Sequence, residues 1–233
     1  MIAENIQNLR ERITAKCDEF KRNPQEIKLI AVSKFFGLDA INEADSLGIT
    51  DFGENKAQEL RDKYEFLGDK VTWHFIGTLQ RNKVKYAVNA ATYIHSVDSS
   101  LLADEINSQA KKINKVQKIL LEFKTSSEDS KSGLTTDVEI LNLVKHCSSL
   151  SHIELVGLMT MAAFTDDTKI IRKSFIDLRN LRDKINQNGF DLRELSMGMT
   201  NDYEIAIEEG ATMLRIGSAI FGQRDTTKDW RQS

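Results

Sequence analysis

The stretch IKLIAVSKFFGLDAINEADSLG at residues 27–48 combines a strand pattern with a helix pattern. Ile27 to Ser33 is a short apolar run rich in β-branched residues, which predicts a buried strand. The apolar residues after it recur at the spacing of one helical face, namely Leu38, Ile41, Ala44 and Leu47. Gly48 closes this pattern, as glycine commonly does at the end of a helix. The stretch therefore predicts one strand–helix unit, with Lys34 at the carboxyl end of the strand.

The same alternation of strand and helix recurs along the rest of the chain. Seven more strands are predicted at residues 49–52, 71–76, 92–97, 116–123, 153–159, 192–197 and 212–216. A helical pattern links each strand to the next, and a further helix precedes the first strand. These elements predict an α/β protein of the (β/α)8, or TIM-barrel, class. An open doubly wound sheet would have similar elements, but no G-x-G-x-x-G sequence follows any strand.

The chain is predicted to form a single domain over residues 1–233. The leading helix occupies residues 1–22, the barrel residues 27–222 and a carboxyl-terminal tail residues 223–233. Low-complexity segments and charged tails are absent from the sequence. Pro24 is the only proline, which argues against long coil linkers.

Composition narrows the possible functions. Lys and Arg total 32 and Asp and Glu total 35, so the net charge is −3 and no basic tract predicts nucleic-acid binding. The sequence contains neither a membrane-spanning apolar run nor a secretory signal, so we expect a cytoplasmic protein without a membrane partner. Cys17 and Cys147 lack Cys-x-x-Cys spacing, and the histidines lack metal-ligand spacing. We therefore expect no disulfide and no metal site.

Lys34 is the first candidate for chemistry, because the active face of such a barrel is built at the carboxyl ends of the strands. It directly follows an apolar strand. An ammonium at the rim of an apolar core is costly to desolvate, which lowers its pKa and makes the amine a nucleophile toward carbonyls. The alternative is a lysine that extends from the strand end into water.

The ends of the seventh and eighth strands have the composition of a phosphate site. They read SMGMTND at residues 196–202 and RIGSAIFG at residues 215–222, and the loops at these places commonly bind phosphate in barrels. The small and hydroxyl residues in them are Ser196, Gly198, Gly217 and Ser218. Turn formation is the alternative role of the glycines. Arg215 lies within the eighth strand, so we expect a buried acceptor for its guanidinium, from the protein or from a ligand.

The second and third strands end in FGEN and WHFIG. Asn55 is placed to hydrogen-bond a ligand, and Glu54 to pair with a cation across the barrel. His74 alternates with two aromatic residues, which favours a hydrogen-bonded core histidine over a ligand-binding one. The polar segment at residues 127–133 is interpreted as a solvated loop, with a loop over the site as the alternative.

Seven motifs occur in the order and spacing of one family. They are AVSK at 31–34, FGEN at 52–55, WHFIGTLQRNK at 73–83, SKSG at 130–133, GLMTM at 157–161, LSMGM at 195–199 and MLRIGSAIFGQR at 213–224. With these motifs, the sequence closely resembles the pyridoxal-phosphate homeostasis proteins over nearly its whole length. The resemblance implies a barrel of the alanine-racemase type, also called fold type III, that holds pyridoxal 5′-phosphate (PLP) as an internal aldimine.

The resemblance also implies roles for individual residues. Lys34 would form the Schiff base to the cofactor aldehyde, and Arg215 would face the pyridine nitrogen. The phosphate would be held by Ser196, Gly217 and Ser218, with backbone help from the turn that contains Met197, while Asn55 and His74 would line the pocket. The chain departs from the family after the lysine, where Phe35, Phe36 and Gly37 replace a small polar residue and a proline.

An arginine opposite the pyridine nitrogen disfavours protonation of the ring, which makes the ring a weak electron sink. Related racemases add a second domain that carries an acid–base residue, and we expect none here because the sequence ends shortly after the last strand loop. We therefore predict a non-catalytic, monomeric PLP carrier that buffers the aldehyde and supplies it to PLP-dependent apoenzymes. The alternatives are a PLP-dependent racemase that uses the lysine as its base, and a class I aldolase in which Lys34 attacks a sugar-phosphate carbonyl.

Overall fold

Eight parallel strands form a closed barrel in which each strand pairs with its neighbours in chain order. The computed structural model describes residues 1–123, 137–223 and 230–232. The strands are β1 (Lys28–Val32), β2 (Asp51–Glu54), β3 (Thr72–Phe75), β4 (Tyr93–Val97), β5 (Gln117–Glu122), β6 (Ile153–Met159), β7 (Glu194–Ser196) and β8 (Met213–Ile216). The barrel closes between β1 and β8, where Ile30 lies opposite Arg215. This arrangement confirms the predicted (β/α)8 class.

A helix follows every strand, and one more precedes the barrel. The helices are α1 (Ile2–Glu19), α2 (Leu38–Ser46), α3 (Ala57–Leu67), α4 (Val84–Ala90), α5 (Ser100–Lys112), α6 (Asp137–Ser149), α7 (Thr168–Gln187), α8 (Tyr203–Glu208) and α9 (Ser218–Phe221). Within the described ranges, no helix combines the length and the apolar character that crossing a membrane requires. The segment at residues 127–133 lies outside the described residues, as do most residues of the predicted tail.

The second strand begins later than predicted. The sequence pattern placed it at residues 49–52, whereas β2 is Asp51–Glu54. The cause is the end of α2, where Gly48 has a positive φ of 81° and the Ile49 amide donates to the Ala44 carbonyl. Because Ile49 caps the helix, it is not available to the strand ladder.

The barrel has two apolar layers. The larger core lies between the strands and the helices. Inside the barrel, a smaller cluster is formed by Ile30, Tyr93, Leu120, Met159 and Met213. Barrels of this class fill their interior with such inward side chains, and each strand alternates between inward and outward positions. Polar residues that share the inner face therefore meet in the middle of the barrel.

Candidate functional site

Lys34 lies just beyond β1, in a turn at the rim of the barrel. The turn is closed by a hydrogen bond of 3.0 Å from the Phe36 amide to the Ser33 carbonyl. Phe35 adopts a positive φ of 71°, which is the shape of a type II turn and a conformation that non-glycine residues rarely adopt. The Phe35 amide donates to Glu59 Oε1 on α3 at 2.8 Å. The backbone on either side of the half-buried Lys34 is therefore held in one geometry.

A buried ion cluster lies behind this turn, between the strands and α3. Lys63 is fully buried, and its Nζ donates to Glu54 Oε1 at 2.7 Å, to Glu59 Oε1 at 2.8 Å and to the Ser33 carbonyl at 2.9 Å. Burial raises the pKa of Glu54 to about 7. The sequence predicted that Glu54 pairs with a cation across the barrel. Its partner is instead Lys63, which lies on the adjacent helix α3.

Asn55 follows β2 and carries an unsatisfied acceptor. Its Oδ1 is buried and receives no hydrogen bond from the residues that the structure describes. Gly77, which follows β3, packs so closely that a Cβ there would lie 2.2 Å from the Asn55 carbonyl oxygen. A buried acceptor without a donor is costly, so the Asn55 side chain is suited to a hydrogen-bond donor supplied by a ligand.

Arg215 places a buried positive charge inside the barrel. It is only 4% exposed, and it donates from Nη1 to Ser196 Oγ at 2.6 Å and from Nη2 to the Thr160 carbonyl at 2.8 Å. Burial lowers the pKa of its guanidinium to about 10, which keeps it charged at neutral pH. The buried acceptors predicted for Arg215 are therefore present, and both belong to the protein.

A hydrogen-bonded chain continues from Ser196 through the barrel interior. The distances are 2.9 Å from Ser196 Oγ to His95 Nδ1, 2.9 Å from His95 Nε2 to His74 Nδ1, and 2.8 Å from His74 Nε2 to Asp51 Oδ1. We call these four residues together with Arg215 the core chain. His95 and Asp51 were not selected from the sequence. Inward positions on neighbouring strands, which β3 and β4 give to His74 and His95, are the signal that would have identified the pair.

Three residues that the resemblance assigns to the cofactor are bonded or packed within the protein interior. The Ser196 hydroxyl is fully buried between Arg215 and His95. His74 uses both ring nitrogens within the core chain, as the core-histidine alternative predicts. Met197 buries its side chain in the larger core, and its amide donates to the Met213 carbonyl. All three residues are thus engaged by neighbouring groups of the protein.

The loops after β7 and β8 meet at the mouth. Ser218 is exposed, and its hydroxyl donates to Thr200 Oγ1 at 3.2 Å; the Ala219 amide also approaches Thr200 Oγ1, at 3.4 Å. A Cβ at Gly217 would lie 3.5 Å from Val32, so this loop also adjoins the end of β1. Thr200 was not singled out in the sequence, although it lies within the SMGMTND motif. Two hydroxyls and a glycine loop therefore stand beside the strand that leads to Lys34.

These groups define the chemistry of the mouth. The carboxyl ends of the strands present an amine, an unsatisfied amide oxygen, a fixed cation and paired hydroxyls. These groups are complementary to an aldehyde that carries a ring nitrogen and a phosphate: the amine suits the aldehyde carbon, the cation suits the ring nitrogen and the hydroxyls suit the phosphate. Within the described ranges, His, Cys, Asp and Glu form no cluster of three that would hold a metal ion.

Comparisons with known proteins agree with this geometry. The family model for the alanine racemase N-terminal domain matches residues 2–225. The pyridoxal phosphate homeostasis protein of Aquifex aeolicus is 40% identical over 223 residues, which cover 95% of this chain and 97% of the relative. PipY of Synechococcus elongatus, solved with PLP bound, is 32% identical with a TM-score of 0.82, and the match covers 95% of this chain and all of PipY.

A more distant structure shows the fold alone. An alanine racemase of Clostridium difficile is 15% identical with a TM-score of 0.72, and the match covers 96% of this chain and 62% of the racemase. The likeness to PipY and to the Aquifex protein, by contrast, extends over nearly the full length of each chain. The resemblance read from the seven motifs is confirmed, and the chain belongs to the pyridoxal phosphate homeostasis protein family, with a barrel of the alanine racemase N-terminal type.

Proposed function

We propose that this protein binds PLP at the mouth of the barrel and buffers it without turning it over. The observation that carries the proposal is Arg215, a fixed and almost fully buried cation on the inner face of β8. Bound PLP supplies a reactive aldehyde and an electron-withdrawing ring. The relation to PipY, which was solved with PLP bound, supports the same ligand here.

Each group at the mouth has a role in this proposal. Lys34 would hold the cofactor through its side-chain amine, a nucleophile suited to the aldehyde carbon. Arg215 would hold the ring nitrogen as a hydrogen-bond donor. Gly217, Ser218 and the newly identified Thr200 hold the phosphate, and the orphaned Asn55 oxygen accepts a hydrogen bond from the ligand.

The nature of Arg215 supports a carrier over an enzyme. A guanidinium is a donor without acceptor capacity and keeps its proton at neutral pH, so the ring nitrogen opposite it stays an unprotonated acceptor. An unprotonated ring withdraws electrons weakly and gives little help to carbanion formation. The names of the relatives, which refer to homeostasis, agree with a buffering role. We further propose that the protein works as a monomer in the cytoplasm and passes PLP to apoenzymes.

The first test is the visible spectrum of the purified full-length protein with PLP, before and after borohydride reduction. Wild type should absorb as a Schiff base that reduction traps, and Lys34→Ala should not. Lys56→Ala is the matched control, because Lys56 lies over the Phe35 ring at 5.0 Å beside the same turn. A wild type that stays colourless with added PLP would disprove the proposal and leave the aldolase alternative.

The second test separates carrier from racemase. We expect PLP-loaded protein to exchange the α-hydrogen of L-alanine or D-alanine with deuterated solvent no faster than free PLP does. Exchange well above that level, lost in Lys34→Ala, would establish a racemase that uses the lysine as its base.

A further inference from the structure

The two ends of the core chain fix the direction of every hydrogen bond in it. An arginine can only donate, so Ser196 Oγ accepts from Arg215; when both imidazoles are neutral and Asp51 is ionised, the Ser196 hydroxyl also gives its own proton to His95 Nδ1. His95 then carries its proton on Nε2 and donates to His74 Nδ1. His74 likewise donates from Nε2 to the Asp51 carboxylate, which can only accept when ionised. With both imidazoles neutral and the ends in these charge states, this is the one assignment of protons that satisfies all four bonds.

The charge states of the members agree with this order. Burial lowers the pKa of both His74 and His95, so both rings are neutral near pH 7. Burial alone would raise the pKa of Asp51, but the hydrogen bond and charge of His74 outweigh it and the net shift is downward. The chain therefore has a cation at one end, an anion at the other, and two neutral imidazoles between them.

Ring packing prevents the imidazoles from turning. The His74 ring stacks on Tyr93 with centroids 4.7 Å apart and planes 3° apart, and the His95 ring meets His74 edge-on at 5.1 Å. The Tyr93 hydroxyl is in turn bound by Lys28 Nζ at 3.2 Å. The other charged groups that face the core chain are Lys28 on β1, Glu122 on β5, Glu194 on β7 and Asp202 before α8.

Asp51 lies at the opposite end of the barrel from the mouth. It is the first residue of β2, and Asn55 directly follows the last one, so about 13 Å of strand separates the two. Its side chain, 14% exposed, borders a cleft of about 340 Å³ at the amino ends of the strands, together with Lys28 and Arg10. Asp51 is therefore too far from the mouth to contact its residues directly.

We propose that Asp51, His74 and His95 are positioning residues for the cofactor ring nitrogen, acting through Ser196 and Arg215. The inference rests on the proposed PLP site. With the chain intact, the Ser196 hydroxyl turns only its lone pairs toward Arg215, which holds the guanidinium in one orientation as a donor to the ring. Without His95 the hydroxyl rotates freely; without His74 the tautomer of His95 is no longer fixed, so the hydroxyl can turn its proton toward Arg215. In either case the guanidinium loses that fixed acceptor.

The test compares His95→Leu and His74→Leu with the matched control Tyr93→Phe, which keeps the stacked ring but removes a hydroxyl outside the chain. The readouts are the pH midpoint of the visible absorbance of the PLP-loaded protein and the rate of PLP release. Both leucine variants should shift the midpoint and release PLP roughly tenfold faster, as expected when a charge-assisted contact loses its support. Tyr93→Phe should match wild type in both.

Asp51→Asn distinguishes the effect of the hydrogen-bond acceptor at Asp51 from the effect of its negative charge. The amide oxygen can still accept from His74, so the variant should keep wild-type release but shift the midpoint, because the negative charge is gone. Leucine variants that fold with wild-type midpoint and release would overturn the inference and leave the PLP site intact. A wild type that takes up no PLP would instead overturn the proposed function, and this inference with it.

Nitrogen-15 spectroscopy of the imidazoles tests the same inference in cofactor-free wild type, whether or not the leucine variants fold. Neutral Nε2–H tautomers at both His74 and His95 at pH 7 are expected. A Nδ1–H tautomer or a charged ring at either position would reverse a bond in the chain and overturn the inference.

Discussion

Lys63 Nζ donates to the carbonyl oxygen of Ser33 at 2.9 Å, which ties helix α3 to the residue directly before Lys34. The same ammonium binds Glu54 and Glu59, and all three side chains are buried. The geometry of the turn that contains Lys34 thus depends on a buried ion cluster. This relationship leads to the first two predictions.

Lys63→Met should destabilise the protein and weaken PLP binding. Removing one partner of a buried ion pair leaves uncompensated charge and typically costs about 3–5 kcal/mol. Urea unfolding and PLP titration measure the two effects. The exposed pair of Lys70 with Asp45 provides the control, because Lys70→Met should change the free energy of unfolding by less than about 1 kcal/mol. Equal effects of the two substitutions would contradict the role of the cluster.

Glu54 should make the protein less stable as the pH rises. Burial raises its pKa from 4.5 to about 7 in the folded state, so the folded protein binds this proton more tightly than the unfolded chain does. Its contribution favours folding at low pH and is lost as the pH rises through about 7. Glu54→Gln should therefore reduce the fall in the free energy of unfolding between pH 5 and pH 7.5, whereas the exposed Glu65→Gln should not.

Gly77→Ala should distort the mouth. The added methyl would lie 2.2 Å from the Asn55 carbonyl oxygen, so the backbone of one loop has to move. We expect a loss of about 1–3 kcal/mol in the free energy of unfolding and weaker PLP binding. At Gly217 a methyl would be in ordinary contact at 3.5 Å, so Gly217→Ala should fold with wild-type stability. A fully stable Gly77→Ala would show that the close approach is not required.

Ser218→Ala combined with Thr200→Val should weaken binding of PLP but not of pyridoxal, which lacks the phosphate. The two hydroxyls contact each other at the mouth and are suited to an anion. Competition measurements with both ligands would detect the difference. If both ligands lose affinity equally, these hydroxyls contact some other part of the ligand.

The fold was predictable because most strands lie in short apolar runs, the helices between them have an apolar face, and the two patterns alternate along the chain. The place of Lys34 at the carboxyl end of the first strand was predictable for the same reason, since it directly follows such a run. The site was only partly predictable. Sequence motifs placed Ser196 and His74 at strand ends, but which atoms they bind depends on the partners that the closed barrel brings to its inner face. Lys63 was not singled out, because only the folded chain shows that Glu54, Glu59 and Trp230 surround it.

The barrel wall keeps two polar systems apart. The Lys63 cluster lies between strands and helices, whereas the core chain lies inside the barrel, so the backbone of β1 and β2 stands between them. Asp51 and Glu54, one from each system, accordingly lie on opposite faces of β2. Evolution can therefore change how firmly the Lys34 amine is anchored without changing how Arg215 holds the ring of the proposed cofactor, and the reverse.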